Sequence, residues 1–252
     1  MTKKMLLLSG PKLCGKGTLL QECLSQYQYS HDVCVKEAAC KGHLYKLVQD
    51  IFLISEERFW EIYNDRELKE KPMPEFRITL TSTEYKALER VVGSLTIPGC
   101  NLIYSLNKPK EPVHINLSVR NAMIYVSEVF IKPRFFMSYF GRARMLEIEK
   151  KVKETGRKYG DIDYIFYDDS SASFQGSSDE LVGLDDYFGE DNILLINIRG
   201  RGKFGVGDSR NYHADGTVKN TVDLWNTGTE KEFLEKGCKI IQEFLGQGFL
   251  DK

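Results

Sequence analysis

The sequence predicts an α/β fold of three layers, in which helices cover both faces of a mostly parallel central sheet. Two observations lead to this prediction. Apolar, strand-like runs alternate with helical segments along the chain, and the first run ends in a glycine-framed turn that passes directly into a helix. Of the 252 residues, 42% are hydrophobic, so the chain can bury one sizeable core. We therefore expect a single domain over residues 1–252, with insertions.

The glycine-framed turn follows the apolar residues 5–8 and runs from Gly10 to Thr18. A glycine, four residues and then Gly-Lys is the spacing of a P-loop, whose backbone N–H groups point at phosphate oxygens while the lysine reaches the β- and γ-phosphates. The helix that follows adds its positive N-terminal end. We expect the loop to bind a polyphosphate through Gly10, Lys12, Gly15, Lys16, Gly17 and Thr18, and the family resemblance described below implies that this ligand is ATP.

Two further features of the sequence concern Mg²⁺: one departs from the usual position of a ligand, and the other supplies a candidate ligand. The commonest P-loop places a Ser or Thr directly after the lysine as a Mg²⁺ ligand, whereas here Gly17 precedes Thr18. The apolar strand 163–169 ends in Asp168 and Asp169, and in a P-loop fold the acid that ends such a strand holds Mg²⁺ or the water around it. Helix capping, with Asp169 or Ser170 starting the next turn, explains these acids equally well. The phosphate-binding interpretation predicts a Mg²⁺ site at Thr18 and Asp168, directly or through water.

Composition argues against several other classes of protein. The formal net charge of −1 is unlike that of a duplex-binding protein, so we expect a small anionic substrate and no stable nucleic-acid partner. The six cysteines form no Cys-x-x-Cys pair, and we expect reduced thiols and no structural zinc. No apolar run approaches the roughly 20 residues of a membrane span. We expect no membrane partner and a cytoplasmic location.

Residues 55–135 are expected to form a helical insertion. The charged stretch that ends its first helix contains Arg66 and Lys69, which either face a substrate phosphate or, as spacing alone favours, belong to a solvent-exposed helix end. Hydroxyl side chains are placed to cap helices, here and further along the chain, at Ser55, Thr81, Ser118 and Thr229.

Arg120 is the most informative cation of the insertion. It lies in the first turn of a helix predicted over 119–131, which Pro133 should stop. A cation in the first turn opposes the helix dipole, which suggests that Arg120 faces an anion. The segment 97–112 before this helix is rich in Pro, Gly, Asn and Lys, and we expect it to be irregular.

A basic, glycine-rich segment follows the last long apolar strand. After a helix predicted over 139–155, the strand 192–198 leads into residues 199–210, which hold four glycines and four cations. Enzymes of phosphoryl transfer neutralise the spread charge of the transferring group with such loops, so we predict a lid over 199–216. A nucleic-acid tether and a plain solvated loop are the alternatives.

The chain resembles the deoxynucleoside monophosphate kinases of tailed bacteriophages, a branch of the P-loop monophosphate kinases. This family transfers the γ-phosphoryl group of ATP to deoxynucleoside monophosphates, generally with Mg²⁺, and some members are dimers, which leaves a homodimer open for this chain. The matching pieces are the loop Gly10 to Thr18, residues 60–70, Ser118-Val119-Arg120 with Met123, Asp168, and the segments 208–210 and 226–229.

The resemblance implies a role for each matching residue. Lys16 and Thr18 would hold the donor phosphates, and Arg120 would grip the acceptor nucleotide and act in catalysis together with Lys16. The arginines of the lid would be Arg199, Arg201 and Arg210, and the residues on the acceptor side would be Arg66, Ser118, Arg120, Asp168 and Asp169.

Two departures from the family pattern leave alternatives open. Some members have Asp where this chain has Gly17, and some have Arg where it has Ser170. The alternatives are a kinase for a modified nucleotide or for a modified base in DNA, and a nucleotide-binding regulatory protein without turnover.

Overall fold

The fold is described from a computed structural model, which covers residues 2–27, 32–38, 40–92, 100–102, 112–159, 162–169, 172–173, 179–202, 204 and 210–246. The chain divides into two compact units. Unit 1 consists of Met1–Cys40, Gly141–Phe204 and Arg210–Lys252. Unit 2 consists of Lys41–Phe140 with Gly205–Ser209, so it contains the predicted insertion 55–135 and starts before it.

The described residues contain ten strands. In chain order these are β1 (Lys3–Ser9), β2 (Val33–Glu37), β3 (Arg77–Leu80), β4 (Cys100–Leu102), β5 (Val113–Leu117), β6 (Asp163–Asp169), β7 (Ala172–Ser173), β8 (Ile193–Arg199), β9 (Arg210–Asn211) and β10 (Asn220–Trp225).

The same part of the chain contains nine α-helical segments. They are α1 (Lys16–Leu24), α2 (Cys40–Phe52), α3 (Glu56–Asn64), α4 (Ser82–Val92), α5 (Val119–Ile124), α6 (Lys132–Arg134), α7 (Tyr139–Tyr159), α8 (Leu184–Phe188) and α9 (Glu230–Leu245). None of these helices is long and apolar enough to cross a lipid bilayer.

A parallel sheet of five strands forms the centre of unit 1. Its order is β10-β8-β1-β6-β2, and every neighbouring pair is parallel, which confirms the predicted α/β class and the mostly parallel sheet. Strand β1 is central, and Met5 to Leu8 are fully buried because both faces of the sheet are covered. One face packs against α1 and α9 and the other against α7 and α8, so the unit has three layers.

Unit 2 is not purely helical, which corrects one expectation. It holds an antiparallel sheet of order β3-β5-β4 beside its helices. Strand β5 alternates buried and half-buried positions from Val113 to Leu117, as expected of a strand with one covered face. This period of two was visible in the sequence. Of the segment expected to be irregular, 97–112, only residues 100–102 and 112 are among the described ones, and 100–102 form β4.

The four predicted helix caps are confirmed. The hydroxyls of Ser55 and Ser118 accept hydrogen bonds from backbone N–H groups three residues further on. Thr81 with Glu84 and Thr229 with Glu232 form reciprocal capping boxes. These signals are local, which explains why the sequence alone was sufficient to find them.

Two predicted helix ends are wrong. Pro133 does not stop the helix after Ser118: α5 continues as a π-helical segment, Tyr125–Ile131, and then as α6, which contains the proline. Proline cannot donate to the carbonyl four residues earlier, that of Val129, and the Arg134 guanidinium donates to this carbonyl at 3.0 Å instead. Helix α7 likewise passes Gly156 and ends at Tyr159, because one glycine costs a helix only about 1 kcal/mol.

The expectation of six reduced thiols is also wrong. Cys23 of α1 and Cys238 of α9 form a disulfide, whereas Cys14 and Cys34 are free thiols. The two bonded cysteines are 215 residues apart in sequence, and only the packing of α1 against α9 brings them together. Their spacing therefore carried no local signal. The side chains of Cys40 and Cys100 lie outside the described residues.

Candidate functional site

The predicted phosphate loop connects the end of β1 to the start of α1, at the carboxyl edge of the sheet. Gly15 immediately precedes α1 with φ of 106°, in the left-handed region that favours glycine. A Cβ at this position would lie 2.9 Å from the ring of Phe233, so a larger residue would not fit. Leu13 has φ of 65° although it is not a glycine. The loop is therefore a strained turn that its surroundings must hold.

Lys16 is turned back into this loop. Its Nζ donates to the carbonyl oxygens of Gly10 at 2.5 Å and Pro11 at 2.9 Å, and it lies 3.7 Å from Oδ1 of Asp169. The side chain is only 12% exposed. The ammonium group of Lys16 is thus held at the centre of the loop, where the positive end of α1 also lies. Lys12 and Thr18 are exposed on the same segment.

Asp168 and Asp169 end β6, the strand beside β1, and the structure separates their surroundings. Asp168 is buried and accepts a hydrogen bond of 3.0 Å from Nη1 of Arg144, which is itself fully buried. The other terminal nitrogen of Arg144 donates to the carbonyl of Glu180. The Asp169 side chain is 37% exposed and faces Lys16. The carboxylate directed at the phosphate loop is therefore that of Asp169.

Sequence reasoning missed the role of Arg144, although a signal existed. On α7 it stands four residues after Phe140 and four before Ile148, and both of these are buried. A cation in the middle of an apolar helical stripe needs a buried partner, and Asp168 is that partner. Nearby, His213 is 3% exposed, and burial together with the charge of Arg144 lowers its pKa to about 4. This imidazole is neutral at pH 7.

The basic segment after β8 packs beside the phosphate loop. Nε of Arg199 lies 2.8 Å from Oδ2 of Asp223, and its guanidinium lies 4.4 Å from the ring centroid of Tyr212. Arg201 donates to the carbonyl of Gly228 at 2.9 Å. A Cβ at Gly202 would meet the carbonyl oxygen of Lys12, so the backbones of the two segments touch. Arg210 lies in β9, and its side chain is outside the described residues, as are residues 203 and 205–209 of the predicted lid.

Unit 2 contains three of the residues predicted for the acceptor side, Arg66, Ser118 and Arg120, whereas Asp168 and Asp169 lie in unit 1. Nε of Arg120 donates to both carboxylate oxygens of Glu70, at 2.8 and 2.9 Å. Glu70 is thus an anion that compensates for the cation in the first turn of α5. Ser118, next to Arg120, caps that helix, and Arg66 is exposed. Lys69 instead lies over the ring of Tyr63, 3.3 Å from its centroid.

The donor set of unit 1 fits a Mg²⁺ ion bound mainly by phosphate. This ion usually takes one or two protein oxygens and completes its shell with phosphates and water. The exposed hydroxyl of Thr18 and the partly exposed carboxylate of Asp169 suit that role, whereas Asp168 is engaged by Arg144. Within the described ranges no three His, Cys, Asp or Glu side chains form a cluster that could hold a metal by themselves.

No protein-family model matches this chain, and no curated protein matches it significantly.

Proposed function

We propose that the protein transfers the γ-phosphoryl group of ATP to a deoxynucleoside monophosphate. The observation that carries this proposal is the loop Gly10 to Thr18 between β1 and α1, with Lys16 turned into it and the acidic end of β6 beside it. A glycine-framed turn, a helix N-terminus and a single mobile ammonium group are the parts that bind a polyphosphate. The nature of the acceptor comes from the resemblance.

The residues would act by position and charge. Lys16 would exchange the carbonyls of Gly10 and Pro11 for phosphate oxygens. Arg199 and Arg201 lie on the segment that touches the loop at Gly202, and they would exchange Asp223 and the Gly228 carbonyl for phosphate oxygens. Phosphoryl transfer leaves little covalent chemistry to the protein, so stabilising the spread negative charge is the main task. Thr18 and Asp169 would hold a Mg²⁺ ion, which neutralises charge on the phosphates when bound.

The acceptor would bind to unit 2 through Arg120. Nε of Arg120 already donates to the carboxylate of Glu70. A nucleotide phosphate offers similar anionic oxygens, which would take the place of that carboxylate. A phosphate is an anion at neutral pH, so the acceptor needs no strong general base. Ser118 and Arg66 are the neighbouring candidates for acceptor contacts.

The test is ADP formation from Mg·ATP across a panel of deoxynucleoside and ribonucleoside monophosphates, with the diphosphate product identified by chromatography. Lys16→Met should lower kcat by about 10³-fold or more, because the transition state loses its central cation. Lys231→Met is the matched control, since the Lys231 side chain is 86% exposed on α9. Near wild-type turnover in Lys16→Met would refute the proposal.

The panel also separates the alternatives. Acceptor-specific ADP with the matching diphosphate supports the kinase and ranks its bases. Binding of ATP without turnover on any unmodified nucleotide would point to a modified acceptor or to a regulatory nucleotide-binding protein.

A further inference from the structure

Asn226 contacts the phosphate loop from a segment more than 200 residues away in sequence. It follows β10 directly and is 4% exposed. Its Nδ2 donates to the carbonyl oxygen of Cys14 at 2.9 Å, and its backbone N–H donates to the carbonyl of Arg199 at 2.8 Å. One residue thus binds the loop after β1 and the end of β8 together.

The bond to Cys14 determines the direction of a donor in the loop. The peptide unit between Cys14 and Gly15 is planar and trans, so its C=O and N–H point in opposite directions. Because Asn226 holds the carbonyl on the buried side, the N–H of Gly15 is turned to the other side. In a phosphate loop the backbone N–H groups are the binding groups, so their direction sets the affinity.

Asn226 packs closely against both of the segments that it joins. A Cβ at Gly15 would lie 3.1 Å from Nδ2 of Asn226, and one at Gly200 would lie 3.1 Å from its carbonyl oxygen. The amide oxygen of Asn226 is buried and has no hydrogen-bond partner within the described part of the chain. The bond to Cys14 is therefore the polar interaction that this side chain makes.

We propose that Asn226 is a positioning residue of the phosphate loop, which holds the Cys14–Gly15 peptide so that its N–H is available to a polyphosphate. The inference rests on the proposed function and adds to it a residue that acts through the loop and not through contact with the nucleotide. It predicts that Asn226 affects the polyphosphate part of the ligand, with or without a base and sugar.

Inorganic triphosphate is the probe that tests this, because it lacks a base and a sugar. Binding of triphosphate and of ATP to the full chain is measured by calorimetry for wild type, Asn226→Ala and Asn226→Asp. We expect Asn226→Ala to weaken both ligands by a similar factor, about tenfold, the value of one lost hydrogen bond. Asn226→Asp should weaken them further, because a carboxylate repels the Cys14 carbonyl.

Asn220→Ala is the matched control. This asparagine lies at the other end of β10, where its Nδ2 donates to the carbonyl of Ile193 at 3.1 Å. It should leave both affinities unchanged. In the absence of ligand, amide hydrogen exchange across residues 10–18 should be faster in Asn226→Ala than in Asn220→Ala, a readout that does not depend on activity.

Four results would overturn the inference. Unchanged triphosphate affinity with weakened ATP would mean that Asn226 contacts the base or sugar. An equal loss in Asn220→Ala would mean general destabilisation. Wild-type protein that binds neither triphosphate nor ATP would remove the proposed function itself, whereas wild-type binding with no effect of Asn226→Ala removes only the positioning role.

Discussion

Asp168 and Asp169 are adjacent residues with different surroundings because they lie on a strand. Successive side chains of a strand point to opposite faces, so one carboxylate enters the layer of α7 while the other stays at the phosphate loop. The inner one needs a partner, since a buried lone charge is expensive, and Arg144 supplies it. The outer one lies 3.7 Å from Nζ of Lys16. A sequence of two acids thus gives one structural and one candidate functional carboxylate.

Removing Arg144 should destabilise the protein strongly. Arg144→Met leaves Asp168 buried without its cation, and losses of about 3–5 kcal/mol are typical for breaking such a pair. Arg144→Met combined with Asp168→Asn should recover much of that loss, because no uncompensated charge remains. Urea unfolding of the two single variants and the double variant measures this coupling. Additive losses would show that the pair is not coupled.

His213 should make the protein sensitive to acid. Its pKa is about 4 in the folded chain and 6.5 ordinarily, so between these values the unfolded chain binds more protons. The contribution of neutral His213 to the free energy of unfolding is fully present above pH 6.5. It is lost as the pH falls towards 4, on the order of 3 kcal/mol in total. The free energy of unfolding of wild type and His213→Asn, measured from pH 7 to pH 4, should show the smaller decline in the variant. Parallel curves would contradict this assignment.

At the scale of elements, α1 and α9 form the layer that carries the phosphate loop. Leu19 and Cys23 of α1 pack with Phe233 and Ile241 of α9 in one apolar cluster. A Cβ at Gly237 would collide with Leu19, so the two helices approach closely at this glycine. The disulfide joins the same pair of helices. A displacement of α9 would therefore also displace α1, the helix that begins at Lys16.

Loss of the Cys23–Cys238 disulfide should lower stability. The bond closes a loop of 215 residues, for which the chain-entropy model gives about 5 kcal/mol, while measured values are more often 2–4 kcal/mol. Cys23→Ser with Cys238→Ser should unfold at a lower temperature than wild type, and its unfolding should not respond to a reductant. Wild-type protein should lose a similar amount of stability when its disulfide is reduced. Cys34→Ser is the control, and an equal effect there would contradict the prediction.

How much the sequence could predict at this scale depends on how far apart in the chain the interacting residues are. Strand β1, strand β8 and the capped helices have signals within a few residues, and their type was predicted correctly. The continuation of the helix through Pro133 depends on the Arg134 side chain, and the disulfide depends on tertiary packing. In the candidate site the loop was predicted from its glycine spacing, and its binding of phosphate stays a prediction, whereas the contacts of Arg144 and Asn226 come from distant segments. Those contacts needed three-dimensional coordinates.

At the scale of the whole molecule, the two candidate sites belong to different units. The phosphate loop, the acidic end of β6 and the basic segment after β8 lie in unit 1, and Ser118 with Arg120 and Glu70 lies in unit 2. If the proposed function is correct, the donor and the acceptor are each recognised by a different unit. Ligand effects should then be separable.

Hydrogen exchange should distinguish the two ligands. Mg·ATP should protect amides in residues 10–18 and 226–229, while a deoxynucleoside monophosphate alone should protect residues 118–121. Protection arises because a bound ligand stabilises the folded form by mass action, by about 2.7 kcal/mol at one hundred times its Kd. Mass spectrometry of peptides from the intact chain measures this. Identical protection patterns for the two ligands would contradict the assignment.

The position of β1 also has a consequence for how the protein is made. This strand is synthesised well before its two neighbours in the sheet, which begin only at Asp163 and Ile193. At about 5–20 residues per second, the apolar segment from Met5 to Leu8 waits roughly 10 to 30 s before either neighbour exists. Pairing over such distances is slow, and an unpaired apolar strand tends to aggregate. A nascent chain of this protein should therefore depend on chaperones that hold its N-terminal segment during translation.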